Sequence, residues 1–172
     1  MKHEIIIVSD SHGLTKELDL IKERHNVAAY IHCGDSELTY NHPSLKNFTI
    51  VRGNCDVETS FEIEEIMELQ RLKIFITHGH LYNVKSHIMN LSYRAQELDA
   101  KIICYGHSHH AGVQKVGEQI FINPGSIRDP RGRTEKTYAL MIIDSSLQQI
   151  SITFYTLAGE MMNSLYYESS LE

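Results

Sequence analysis

At 172 residues the chain has room for one domain over 1–172. A chain of this size buries roughly two-thirds of its unfolded surface, so it needs no disulfide or metal to hold together. A hydrophobic content of 42% and a charged content of 22% are those of a soluble globular protein. The formal net charge of −6 argues against a general nucleic-acid binder, which needs a basic face against phosphate. No apolar run reaches the roughly 18 residues of a membrane span. The chain enters its first apolar run without the core of a signal peptide, so the expected location is the cytoplasm. Three cysteines without CxxC spacing argue against a disulfide framework, and Cys33 and Cys104 read as small core residues.

Residues 5–8 (Ile-Ile-Ile-Val) form a continuous apolar run, as in a strand covered on both faces, and end at Asp10-Ser11-His12. Residues 14–25 carry Leu14, Leu18 and Ile21 at helical spacing. Residues 27–33 are a second strand ending at Gly34-Asp35, 36–47 a polar loop, and 48–51 a third strand ending at Arg52-Gly53-Asn54-Cys55-Asp56. Residues 61–64 and 72–77 read as two strands joined by a short turn, with a helix over 64–72 as the alternative. The second of these ends at His78-Gly79-His80.

A helix over 84–98 presents Ile88, Leu91, Ala95 and Leu98 on one face, and a strand over 101–105 precedes Gly106-His107-Ser108-His109. Residues 112–122 form a hairpin turning near Gly117-Glu118, and Asn123-Pro124-Gly125-Ser126 closes it. A basic loop over 127–136 and a last hairpin, 138–143 with 149–155, follow; the tail from Ala158 has no assigned element. Alternating strands and helices followed by hairpins predict a layered α/β domain with mixed sheets.

Five apolar runs therefore end in polar signatures rich in Asp, Asn and His. In α/β sheets, ligands collect outside the carboxyl ends of the strands. Strands of common direction would bring all five signatures to one edge. A catalytic ion takes about four ligands with one position left open, and the two aspartates, one asparagine and four or five histidines suffice for two ions sharing a bridge. Asp35, alone after its strand, suits the bridge. In an extended segment His107 and His109 point to one side, whereas His110 is out of phase. His3, His25, His32, His42 and His87 read as non-functional.

The ordered set DxH, GD, GNxD, HGH and GHxH resembles the calcineurin-like metallophosphoesterases, and Gly53-Asn54-Cys55-Asp56 resembles their small prokaryotic phosphodiesterase branch. The resemblance implies a four-layer α/β/β/α sandwich with two mixed sheets, and two divalent ions, Mn²⁺ first with Zn²⁺, Fe or Ni²⁺ as alternatives. It places Asp10, His12, Asp35 and His109 on one ion and Asp35, Asn54, His78 and His107 on the other. It further implies attack on a small phosphodiester by a hydroxide held between the ions, and a homodimer. The wider family often has histidine where Cys55 stands; a thiol donates a proton to an alkoxide less well and carries no positive charge, which favours good leaving groups. His80 and Asp56 are the candidates to stand in, His80 for proton transfer, while a loop-capping role fits Asp56 better. Arg52, Cys55 and Arg128, with Arg131 and Arg133 further along, are candidates for the phosphate oxygens. The alternative is a scaffold on the same fold, as in a retromer subunit, but no ligand position here is replaced.

Overall fold

The run at residues 5–8 faces two cores at once. In the computed structural model, which describes residues 1–146 and 148–171, it lies in strand β1 (Lys2–Val8). Ile5 and Ile7 join one buried cluster while Ile6 and Val8 join another. The period-2 geometry of a strand makes this necessary when both faces are covered.

Helix α1 (Lys16–Arg24) starts after Thr15, buries Leu18 and Ile21 against β1, and carries Glu17 and Asp19 in its first turn and Lys22 and Arg24 in its last, which suits its dipole. Strands β2 (Ala29–His32) and β3 (Phe48–Ile50) continue in parallel beside β1. Strand β4 (Glu64–Leu69) pairs antiparallel with β5 (Leu72–Thr77), and α2 (Met89–Glu97) leads to β6 (Ile102–Cys104). Strands β7 (Gly112–Val116), β8 (Gln119–Asn123), β9 (Thr137–Asp144), β10 (Gln149–Thr156) and β11 (Tyr167–Ser170) complete the order.

The strands form two mixed sheets, ordered β11-β10-β9-β1-β2-β3 and β4-β5-β6-β8-β7. Ile5, Ile7, Ile31, Ile74, Ile76, Ile102, Ile122, Met141 and Ile152 from both sheets fill the space between them. Leu18 and Ile21 cover the outer face of the first sheet, and Leu91 and Ala95 of α2 cover Phe75, Ile103 and Phe121 on the second. This is the expected four-layer α/β/β/α arrangement. Cys33 and Cys104 are fully buried. Among the described residues no helix is long and apolar enough to cross a membrane.

Two expectations need correction, and one unassigned segment gains an element. The strand placed at 61–64 lies at Glu64–Leu69, and the helical alternative there is excluded. Phe61 instead leaves the strand path to bury itself at 4% exposure beneath Tyr40, while Gln70, at φ 57°, makes the turn into β5. The helix placed at 84–98 begins at Met89, because Asn83 at φ 53° redirects the chain and Val84 is used to pack against the core. The tail forms β11, antiparallel to β10.

Candidate metal centre

Strands β1, β2 and β3 run parallel in one sheet and β5 and β6 in the other, and their carboxyl ends meet at one edge. Asp10 N–H donates to Gly34 O at 3.0 Å, His12 N–H to Asp35 O at 2.9 Å and Gly106 N–H to His78 O at 3.0 Å, so the end loops are interlocked. Asp10, His12, Asp35, His107 and His109 all sit at φ between 43° and 67°. Left-handed backbone costs a non-glycine residue roughly 1–2 kcal/mol. It turns each side chain back over the sheet edge. The two glycines beside them leave the carboxylates room: a Cβ at Gly53 would collide with the Asp35 carboxylate, and one at Gly106 with Ser9 Oγ.

Three imidazoles engage their Nδ1 away from the centre. His12 Nδ1 meets Glu37 Oε2 at 2.8 Å, His78 Nδ1 meets Cys33 O at 2.8 Å, and His109 Nδ1 meets Asp129 O at 2.6 Å. Such partners fix the tautomer and aim Nε2 inward as a lone-pair donor. The Nε2 atoms of His12 and His109 then face one another at 3.5 Å, and that of His78 faces Asp35 Oδ2 and Asn54 Oδ1, both at 3.1 Å. Asp10 Oδ1 is buried and accepts no aligned hydrogen bond, although His109 Nε2 is 3.1 Å away and those of His12 and His78 are 3.8 Å. Lone pairs that converge on lone pairs, around an orphaned carboxylate oxygen, form a donor set for a cation. Ligand atoms of Asp10, His12 and His109 lie within 4.8 Å of one another, as do those of Asp10, Asp35 and His78, and of His12, Asp35 and Cys55. The residues fit bound divalent metal.

The charge balance of the site agrees. Burial opposes charge on Asp10 and Asp35, but the imidazoles of His109 and His78 respectively outweigh it and hold both carboxyls below their ordinary value. Burial lowers His78 but Asp35 and Asp10 raise it more, and the contact with Asp10 raises His109. Burial, with the charges of His78 and Lys85, takes His107 down to about 4. The raised imidazoles sit where positive charge is called for, and bound metal would replace those protons.

His107 stands 5.1 Å ring to ring from His78, away from the His12–His109 pair. His80 lies 5.4 Å from His78 and 6.1 Å from His107, with a buried Nδ1 that has no hydrogen-bond partner among the described residues, but it does not line the open cleft. That cleft, about 510 Å³, is lined by Asn54, Cys55 and Arg128 among others; Arg52 is absent and turns its Nε to Asp56 O at 3.4 Å. Arg128 donates through Nη1 to His12 O. Burial and the neighbouring Asp35 carboxylate push the Cys55 thiol up to about 11. Asp56 is a loop cap, accepting backbone N–H groups of Asp35, Gly53 and Glu37. Asn123 is positional, donating to Gly106 O and Ser108 Oγ, and Ser126 Oγ donates to Asp10 O. His110 stays outside the cluster.

Sequence reasoning missed Glu37 and Lys85. Glu37 lies two residues after Asp35, a spacing that was a usable signal; Lys85 gave none. Glu37→Gln, which weakens the grip on His12, is expected to lower Mn²⁺ affinity about 10–100-fold by calorimetric titration. A change under twofold would show that His12 is oriented by other contacts.

His32 was also underestimated. It is fully buried, accepts Gly34 N–H at Nδ1 (3.1 Å) and meets Ser11 Oγ at Nε2 (2.8 Å), bridging two of the end loops. Burial takes it down to about 4. The unfolded chain binds this proton below about 6.5 and the folded chain does not. Its contribution is complete above that pH and is lost as pH falls toward 4, by up to about 3 kcal/mol. Urea midpoints of chelated protein at pH 7 and 5 should differ accordingly, and His32→Asn should reduce the difference; an unchanged slope would assign it elsewhere.

With the site assembled, its class follows. The chain belongs to the calcineurin-like phosphoesterase superfamily, whose domain model matches residues 3–146. It is 44% identical over 163 residues to the probable metallophosphoesterase YsnB of Bacillus subtilis, covering 94% of this chain and 95% of that one. It is 35% identical over 101 residues to phosphodiesterase YfcE of Escherichia coli, covering 53% and 50%. Among solved structures, a predicted phosphoesterase from Streptococcus pneumoniae superposes with a TM-score of 0.92 at 36% identity over 99% and 98% of the two chains. Vacuolar protein sorting 29 from Cryptosporidium parvum shares the fold, with a TM-score of 0.80 at 17% identity over 98% of each chain. Family and donor set together define a metal-dependent phosphoesterase.

Proposed function

We propose that the chain hydrolyses phosphodiester bonds at a binuclear metal centre. The observation that carries this is the position of the two aspartates: Asp10 is shared between the His12–His109 side and the Asp35–His78 side, and Asp35 reaches both His78 and His12. Asp10, His12, Asp35 and His109 would hold one ion, and Asp35, Asn54, His78 and His107 the other. Bound divalent ions, with Mn²⁺ the first choice, supply a water acidic enough to attack near neutral pH and positive charge for the phosphoryl oxygens. Glu37, Cys33 O and Asp129 O keep the imidazoles aimed, and Arg128 holds its place through His12 O. His80, the sequence's candidate for proton transfer, sits beside His78 and His107 rather than in the open cleft. Cys55 stands where a histidine would offer a positive charge to the leaving oxygen and has none to give, so esters with good leaving groups are favoured. The relationship to phosphodiesterase YfcE supports the diester preference.

The test is hydrolysis of bis(p-nitrophenyl) phosphate and p-nitrophenyl phosphate after chelation and re-addition of Mn²⁺, Ni²⁺, Zn²⁺ or Mg²⁺. Mn²⁺ should restore turnover, with the diester ahead. No stimulation by any metal would leave a binding module on this fold, and a faster monoester would overturn the diester preference.

A further inference from the structure

The cleft holds more positive charge than one phosphodiester can use. Lys85 enters it from the segment after β5, and Arg128 and Arg131 from the segment after β8; all three are exposed. One rim carboxylate, Asp129, lies 3.2 Å from Arg131 Nη2. Among the described residues Lys85 has no ion-pair partner. In a chain of net charge −6 this local excess runs against the overall balance. The segment is also fixed to the site: Ser126 Oγ accepts Arg128 N–H at 3.1 Å and Asp129 N–H at 2.8 Å while donating to Asp10 O, and Arg131 N–H donates to His109 O at 3.1 Å. Arg128 and Arg131 are therefore carried on a segment held in register with the centre. The lining contains no aliphatic side chain, so an acyl chain finds no partner there.

A phosphodiester carries one negative charge, which the metal centre already meets. Three further cations in the same cleft, offset by the single rim carboxylate Asp129, leave room for a second anion, and the planar guanidinium suits phosphate or carboxylate. We propose that the natural substrate is a compact phosphodiester bearing a second anionic group, phosphate or carboxylate, received by Lys85, Arg128 and Arg131. This rests on the phosphoesterase reading above and specifies its substrate class.

The experiment compares p-nitrophenyl phosphodiesters whose second alcohol is 2-phosphoethyl, 2-carboxyethyl, 2-hydroxyethyl or 2-(trimethylammonio)ethyl, with the Mn²⁺-loaded full chain. The kcat/KM for at least one anionic ester should exceed that for the hydroxyethyl ester about tenfold, a difference of about 1.4 kcal/mol, and the trimethylammonio ester should be poorest. Which anionic ester leads identifies the group. Lys85→Gln and Arg131→Gln should each move the anionic-to-hydroxyethyl ratio toward one. Equal rates for anionic and hydroxyethyl esters, or a ratio that neither variant moves, would overturn the proposal while leaving a phosphodiesterase. Hydrolysis of none of the four would overturn both readings.

Discussion

Replacing Asp56 by alanine is expected to destabilise the fold by about 4 kcal/mol. Its carboxylate, 4% exposed, accepts Asp35 N–H at 2.8 Å and Gly53 N–H at 2.7 Å through Oδ2, and Glu37 N–H at 2.7 Å through Oδ1. Each buried donor left without a partner costs about 1–3 kcal/mol. Two of the three are too enclosed for water to replace the carboxylate, which sets the figure. For a chain of this length that is a fall in Tm of about 12 °C. The same bonds hold Asp35 and Glu37 in left-handed backbone, at φ 57° and 55°, so metal affinity and turnover should fall with stability. Asp56→Asn keeps one acceptor oxygen and turns an N–H toward a donor, so it should fall in between. A Tm within 3 °C of wild type for the alanine variant would mean that the loops hold their shape without this cap.

The largest effect on turnover should come from Asp35→Ala. The side chain lies beside His78 Nε2 at 3.1 Å, accepts Cys55 N–H at 2.8 Å, and is within reach of both groups of candidate ligands. A bound ion supplies several kcal/mol of charge stabilisation at the transition state. Losing about 4 kcal/mol of it corresponds to about a 1,000-fold lower kcat. Metal content by plasma emission should fall from about two equivalents toward one. Asp35→Asn, which retains an acceptor for Cys55 N–H, separates the loss of charge from disturbance of the loop: if charge matters, Asn is nearly as inactive as Ala. Turnover within tenfold of wild type for both variants would remove Asp35 from the reaction.

The strand ends were legible because the chemistry there is carried by residue type. A run of apolar residues with both faces buried can be read directly, and Asp, Asn or His immediately after five such runs has no simple packing explanation. The shape of those ends was less legible. The HxH segment was expected to be extended, with both histidines facing one side, but β6 stops at Cys104 and His107 and His109 sit at φ 67° and 59°. Their separation, one toward His78 and the other toward Asp10, comes from two left-handed turns that no side-chain pattern encodes. The position of β4 was obscured because its wet face also carries an apolar residue: Ile66 and Met67 are adjacent, and Ile66 remains 36% exposed. Of the groups that orient the imidazoles, two are backbone carbonyls, Cys33 O and Asp129 O, which carry no residue signature. Arg52 looked like a phosphate contact from its motif alone, yet Asp56 O draws its guanidinium aside.

The two edges of the sandwich live under different constraints. At the carboxyl edge, loops between residues 10 and 129 are locked together, and side chains in hydrogen-bond contact with one another leave little freedom for sequence change. At the opposite edge the turns at 70–71 and 117–118, and the one that follows Asp144, join antiparallel neighbours. None of their described residues belongs to the metal centre or its cleft. Insertions, fusions and lineage-specific variation can accumulate there at little cost to the chemistry. The fold thus sets a fixed working face apart from a face free to diversify.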